Sequence, residues 1–399
     1  MAHRFRFQFL RPARRALGWG ARQIDGLIGR HGEMLALRPG GPVRGSVAFA
    51  YLTDPWIYPE SINRHYHTNR WESWLMAETF REAGYRVEVV NYDNIHYRPP
   101  VDCAFAFDLE RNLDRWTANL PPGCVKLHHA STTHWLHWNR AELRRIAGIQ
   151  QRRGISLVPR RQIPPNRCVE AADHMLYVGN AFTAETYAYA GRPMHRIPIS
   201  TVITTDWPAQ KDWDQARRHF IWFGSVGLAH KGLDLALEAF VRMPGLHLTV
   251  AGAVDLDQDF KAAYHRELFA TPNIKCAGFV DVCSPAFLEL VADCAGVVYP
   301  SCAEGGAGSV ICCMHAGLVP LVTREASIDV GDFGLENRSD AIDDIIADVQ
   351  RFAALPPGEV ATRSRAAWEH VRRVHSRENF RRVWRQFARE TLKLSLRDD

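Results

Sequence analysis

Val297-Val298-Tyr299-Pro300-Ser301-Cys302-Ala303-Glu304-Gly305-Gly306-Ala307-Gly308-Ser309-Val310 is the stretch that sets the architecture of this chain. Ala295 to Tyr299 is a short apolar run suited to a buried parallel strand. Val310 to Ala316 resumes an apolar pattern that Gly317 stops, as a helix would. Between them lie glycines and a single carboxylate. Such a loop sits at the carboxyl end of a sheet, where ligands of open α/β proteins bind: glycine lets a ligand approach the backbone, and the next helix's first N–H groups face it. The stretch therefore reads as a cradle for a phosphate on amides and a polyhydroxylated group on Glu304.

The same strand and helix alternation extends in both directions. Ser46 to Leu52, Arg86 to Val90, Asp102 to Phe107, Val125 to His128 and Asp173 to Val178 read as strands, with helices over Trp71 to Ala83 and Asn139 to Gly154. A second series has strands at His219 to Phe223, Leu246 to Ala251, Ile274 to Ala277 and Pro320 to Thr323, and helices at Leu233 to Val241 and Pro285 to Ala292. Repeated βα units imply parallel sheets covered on both faces. The expected fold class is α/β, two Rossmann-like doubly wound domains facing across a cleft. The boundaries read as a basic N-terminal arm (1–44), a first domain (45–205), a second domain (206–375) and a C-terminal helix (376–399) crossing back to the first. Pro198 to Asp214 is the linker.

At 399 residues the chain exceeds the usual size of one core. Its 49 Lys and Arg against 44 Asp and Glu leave a net +5, too diffuse for a nucleic-acid partner. The nine cysteines include no C-x-x-C pair, which reads as reduced core thiols of a cytoplasmic protein. No run approaches the ~20 apolar residues that span a bilayer. The first residues, with Arg4, Arg6, Arg11, Arg14 and Arg15 among Phe5, Phe7, Phe9 and Trp19, read either as a basic interfacial helix over 1–38 on an anionic membrane surface or as an arm on the body.

Two more strand-to-helix junctions accompany the first. Phe223 to Gly232 exposes glycine amides beside Lys231, and Gly278-Phe279-Val280 follows the strand at Ile274. In this order the three junctions resemble the donor-binding domain of nucleotide-sugar-dependent glycosyltransferases of the GT-B fold, in the large retaining group-1 family. The resemblance covers Arg218 to Thr323, and the first domain in outline. It implies that Gly224, Ser225, His230 and Lys231 surround a donor diphosphate and that Gly278, Phe279 and Val280 receive the nucleobase. It also implies that Glu304 contacts the donor sugar, with Gly305, Gly306, Ala307, Gly308 and Ser309 giving amides. A nucleotide sugar would be the co-substrate, a glycan or lipid-linked molecule the acceptor, and no cofactor or obligatory metal is expected. Asp255-Leu256-Asp257 reads as a surface loop.

Two positions depart from the family pattern. Ser225 stands where an arginine usually follows the first glycine, and Cys312 stands eight positions beyond Glu304 where a second glutamate is usual. A thiol is a poor substitute for a carboxylate acceptor. The charge must then come from elsewhere, for instance His230 or a first-domain arginine, or the protein binds a donor without transferring it. A nucleotide-sugar epimerase is a further reading. In the first domain, His128 or His129 is the candidate facing the donor sugar. His65, His67 and Asn69, within Arg64 to Arg70, either offer donors to acceptor or phosphate or form a solvated loop. His134 is an acceptor-side candidate, and Trp138 reads as core.

Overall fold

The computed structural model describes residues 34–63 and 67–397. Strands β1 (Met34–Leu37), β2 (Ser46–Tyr51), β3 (Arg86–Asn91), β4 (Cys103–Asp108), β5 (Val125–Ala130), β6 (His174–Tyr177) and β7 (Met194–Arg196) form one sheet in the order β1-β3-β2-β4-β5-β6-β7. All its pairs are parallel except β1 with β3. β2 is buried at every position, as expected for a central strand covered on both faces.

The second sheet contains β8 (His219–Phe223), β9 (His247–Ala251), β10 (Ile274–Gly278), β11 (Gly296–Tyr299), β12 (Val319–Val322) and β13 (Leu335–Glu336). It runs β10-β9-β8-β11-β12-β13, and every pair is parallel. β8 and β11 are neighbours whose outgoing connections diverge. Their carboxyl ends form the switch point where a doubly wound sheet opens a crevice.

Three strands were not anticipated. β1 falls within the expected arm, β7 has three residues and β13 two, too short for an alternation signal. The basic C-terminal stretch divides at His375–Ser376 into helices Pro357–Val374 and Arg377–Glu390. The second of these lies on the first domain, where Phe380, Trp384 and Phe387 join the core around Phe80 and Phe107. Trp384 Nε1 donates to Thr79 Oγ1 at 3.0 Å.

The arginine-rich helix, Trp135–Arg153, starts four residues before the expected Asn139 because His134 caps it, accepting from the Leu136 amide. Three of its arginines, Arg145, Arg152 and Arg153, face the second domain. Arg152 pairs with Asp234 at 2.8 Å and Glu238 at 2.9 Å, and Arg153 with Glu267 at 2.9 Å. Arg145, buried, donates to the Pro300 carbonyl at 3.1 Å and faces Asp234 at 3.4 Å. Ile149 and Leu157 of this segment belong to the second domain's apolar core. The two sheets are thus held together by burial as well as by ion pairs.

Candidate active site

The turn after β8 is shaped by packing. A Cβ on Gly224 would lie 2.7 Å from the Trp222 ring, and one on Gly232 only 2.0 Å from the Pro300 carbonyl oxygen. Gly232 also has φ +76 and caps the helix Leu233–Val241, so a side chain is excluded twice. This close approach brings Lys231 over the end of β11. Its Nζ lies 2.6 Å from Glu304 Oε1 and donates to Tyr299 Oη at 2.9 Å, while Tyr299 Oη donates to the same Oε1 at 3.0 Å.

Burial would raise the Glu304 pKa, but the Lys231 charge, then that of Arg161, reverses this and holds it at about 2, so the carboxylate is ionised. Burial lowers Lys231, opposed by Glu304. Lys231 and Glu304, read separately from sequence as phosphate and sugar ligands, are thus partners. Among the described residues, the hydrogen bonds to Glu304 all end on Oε1, from Lys231, Tyr299 and, at 3.5 Å, Ser301. Oε2 is the acceptor left for a hydroxyl.

The opening loop forms a domain contact. A Cβ on Gly305 would come within 2.1 Å of the Ser131 carbonyl oxygen, and one on Gly306 within 3.4 Å of Gly179 Cα. Glu110, just past β4, holds the opposite wall: its carboxylate accepts from Ser131 N at 2.7 Å, Ser131 Oγ at 2.9 Å and Thr132 Oγ1 at 3.0 Å. Beyond this contact Gly308 and Ser309 open the helix Gly308–His315. Cys312, on that helix and 6% exposed, lies against the linker at Thr201 and Val202, and burial raises its thiol to about 12. It is a neutral packing residue.

His230 does not supply charge. It is fully buried, burial lowers its pKa to about 3, and Nε2 sits 2.6 Å from the Ala303 carbonyl oxygen. Its ring lies 4.3 Å from that of Trp138, a core residue from the other domain. Ser225 is exposed on the loop tip. At the base end, a Cβ on Gly278 would meet nothing within 4 Å, Phe279 is 55% exposed and Val280 is half-buried. This corner is open enough to receive a planar ring.

The first-domain candidates divide. His128 and His129 point to opposite faces of β5 and are 1% and 0% exposed, so neither shows a nitrogen to the cleft. Burial lowers both to about 3. His129 packs between Tyr51 and Phe107. His128 lies with Asp108 and Cys168, their ligand atoms within 4.8 Å of one another, the one such cluster among the described residues. All three residues are buried, and Asp108 already accepts from the amides of Arg111, Asn112 and Leu113.

His134 is occupied as a helix cap and bonds Tyr189 Oη at 3.0 Å. His67 lies near enough to Arg161 and Lys231 to feel their charges. Its surface meets solvent, yet the surrounding walls, then Arg70, Arg161 and Lys231, lower its pKa to about 4. Asn69 begins the helix Asn69–Glu82 beside it, and His65 lies outside the described residues. Asp255 pairs with Lys261 and Asp257 with Arg160, so both carboxylates have cationic partners. Tyr299, Glu110 and Arg161 were missed by sequence reading. Tyr299 was in the opening stretch, Glu110 had only its place at a strand end, and Arg161 gave no local signal.

No family model and no curated protein matches the chain. Among solved structures it is similar to sucrose-phosphate synthase from Thermosynechococcus elongatus, with TM-score 0.56 and 12% identity over 88% of this chain and 100% of that one. It is also similar to Anabaena HepE in complex with UDP and glucose, with TM-score 0.52 and 11% identity over 88% and 99%. An S. aureus TarM variant in complex with UDP has TM-score 0.50 and 12% identity over 70% of this chain, which spans 55% of TarM. These likenesses, with the two parallel-stranded sheets, show that the chain has the GT-B fold.

Proposed function

We propose that the protein is a glycosyltransferase that moves a sugar from a nucleotide diphosphate sugar to a hydroxyl of a glycan or lipid-linked acceptor, with retention and without an obligatory metal. The observation that carries this reading is the Lys231–Glu304 pair at the adjoining carboxyl ends of β8 and β11. An ionised carboxylate with one oxygen unoccupied accepts hydrogen bonds from sugar hydroxyls. Beside it, the first amides of the helix Gly308–His315 are oriented to stabilise charge that grows on a departing diphosphate. The open Gly278–Val280 corner then takes the base. UDP in the HepE and TarM structures makes UDP-sugars the first donors to try.

No helix among the described residues is long and apolar enough to cross a membrane. In this reading a lipid-linked acceptor is met at the membrane surface, with the basic arm, whose residues 1–33 lie outside the described residues, on anionic headgroups and the body in the cytoplasm.

The test is a panel of UDP-, GDP-, ADP- and dTDP-sugars, with nucleotide release and the anomeric signal of the product followed by NMR. Glu304→Ala is expected to lower turnover at least about 100-fold. Binding without turnover would favour a donor-binding protein, a reading supported by Lys231 and Glu304 satisfying each other and by Cys312 facing the linker. An epimerised donor with no transfer product would make it an epimerase.

A further inference from the structure

Lys231 is neutralised by Glu304, Ser225 carries no charge and His230 is neutral. The loop that would hold a diphosphate therefore brings no net positive charge of its own. A cation reaches it from the first domain. Arg161 follows the helix Trp135–Arg153, and its side chain lies across the turn of the donor loop: a Cβ on Gly227 would stand 2.5 Å from Arg161 Cγ and 2.8 Å from its Cδ. Gly227 has φ +82 as well, so the loop tolerates only glycine under the arginine stem.

The placement of Arg161 is over-determined. Its amide donates to buried Glu142 Oε1 at 2.9 Å, and its carbonyl accepts from Trp138 Nε1. Its guanidinium sits 5.2 Å from the centre of the Trp138 ring. Arg160, the preceding residue, turns the other way and pairs with Asp259 at 2.7 Å, while among the described residues no carboxylate lies within ion-pair distance of Arg161. A guanidinium resting on an aromatic face keeps its N–H edge available, and that edge matches two phosphate oxygens. Its charge is felt by residues of both walls, lowering His67 of the first domain and Lys231, His230 and Glu304 of the second.

We propose that Arg161 is the cation that holds the donor's diphosphate, supplied across the domain boundary in place of the loop position where Ser225 stands. This rests on the nucleotide-sugar reading above and names the residue that makes that site competent. It also makes the diphosphate site a property of the two domains together, because the second domain alone lacks the charge.

Titration calorimetry of the full chain with UDP, ADP, GDP and the parent nucleosides tests it. Arg161→Gln is expected to weaken diphosphate binding about 10- to 100-fold and to leave nucleoside binding unchanged. Placing the charge back on the loop, with Ser225→Arg in the Arg161→Gln background, is expected to recover at least about tenfold of the loss. A merely structural arginine would not be rescued in this way. Diphosphate binding by Arg161→Gln equal to wild type, an equal loss for nucleoside and diphosphate, or no recovery with Ser225→Arg overturns the assignment and leaves the donor reading standing. Wild-type protein that binds none of the diphosphates removes the donor reading and this inference together.

Discussion

Lys231 Nζ and Glu304 Oε1 stand 2.6 Å apart across 73 residues of sequence, with both side chains 9% exposed. Each charge has lost most of its water and has the other in its place. Removing one partner strands the other in a poorly solvated site, which costs more than the pair contributes when intact.

Lys231→Met alone should destabilise the protein by about 3–5 kcal/mol, whereas Lys231→Met with Glu304→Leu should recover most of that loss. Urea denaturation of the four members of this double-mutant cycle measures the coupling. A coupling below about 0.5 kcal/mol, as for distant residues, would contradict a buried pair.

The pH dependence has a defined sign. The Glu304 pKa falls from the ordinary 4.5 to about 2 on folding, so the carboxylate contributes stability that is complete above pH 4.5 and lost as pH falls towards about 2. At roughly 1.4 kcal/mol per pH unit this amounts to about 3 kcal/mol. The stability difference between wild type and Glu304→Gln should be flat above about pH 5.5 and shrink below about pH 4.5. A difference unchanged down to pH 3 would show an unshifted group.

His129→Phe tests whether this histidine belongs to the reaction. His129 is enclosed by Tyr51 and Phe107 and, among the described residues, has no hydrogen-bond partner on either ring nitrogen. A phenyl ring removes two unsatisfied polar atoms, so stability at pH 7 should stay within about 1 kcal/mol or rise. Because the folded-state pKa is lowered to about 3, wild type loses stability as pH falls below 6.5, and the variant should be relatively more stable at pH 5.5. Turnover should remain within about threefold of wild type, since the ring has no surface towards the cleft. A collapse of turnover at unchanged stability would place His129 against the donor.

Gly305→Ala should separate the domains without unfolding them. The added methyl would meet the Ser131 carbonyl oxygen at 2.1 Å, a backbone contact that no side-chain rotation relieves. Small-angle scattering should show a larger radius of gyration, with circular dichroism unchanged and nucleotide release strongly reduced. An unaltered scattering curve would mean that this contact does not govern closure.

Much of the fold was legible because it rests on local pattern. The apolar run and glycines around Val297 to Val310, and the Leu233 to Val241 periodicity, place strands and helices within a residue or two of where they lie. The edge strands β1 and β13 were not legible, because two to four residues offer no period and their pairing depends on a neighbour distant in sequence. His134 was read for chemistry and serves as a cap, since a histidine before a tryptophan helix carries no mark that distinguishes the two roles.

The chain's order of strands, loops and glycines was enough to define two doubly wound sheets and to nominate Lys231, Glu304 and the Gly305 loop, because those signals lie between adjacent residues. Which nominated groups meet was settled by folding. The approach of Gly232 to Pro300 turns Lys231 onto Glu304, and the register of β5 buries both of its histidines. Arg161 reaches the donor loop because the arginine-rich helix packs on the second domain through Arg145, Arg152 and Arg153. Charge acts through space rather than along the chain, so a site assembled from two domains takes its electrostatic character from how they pack.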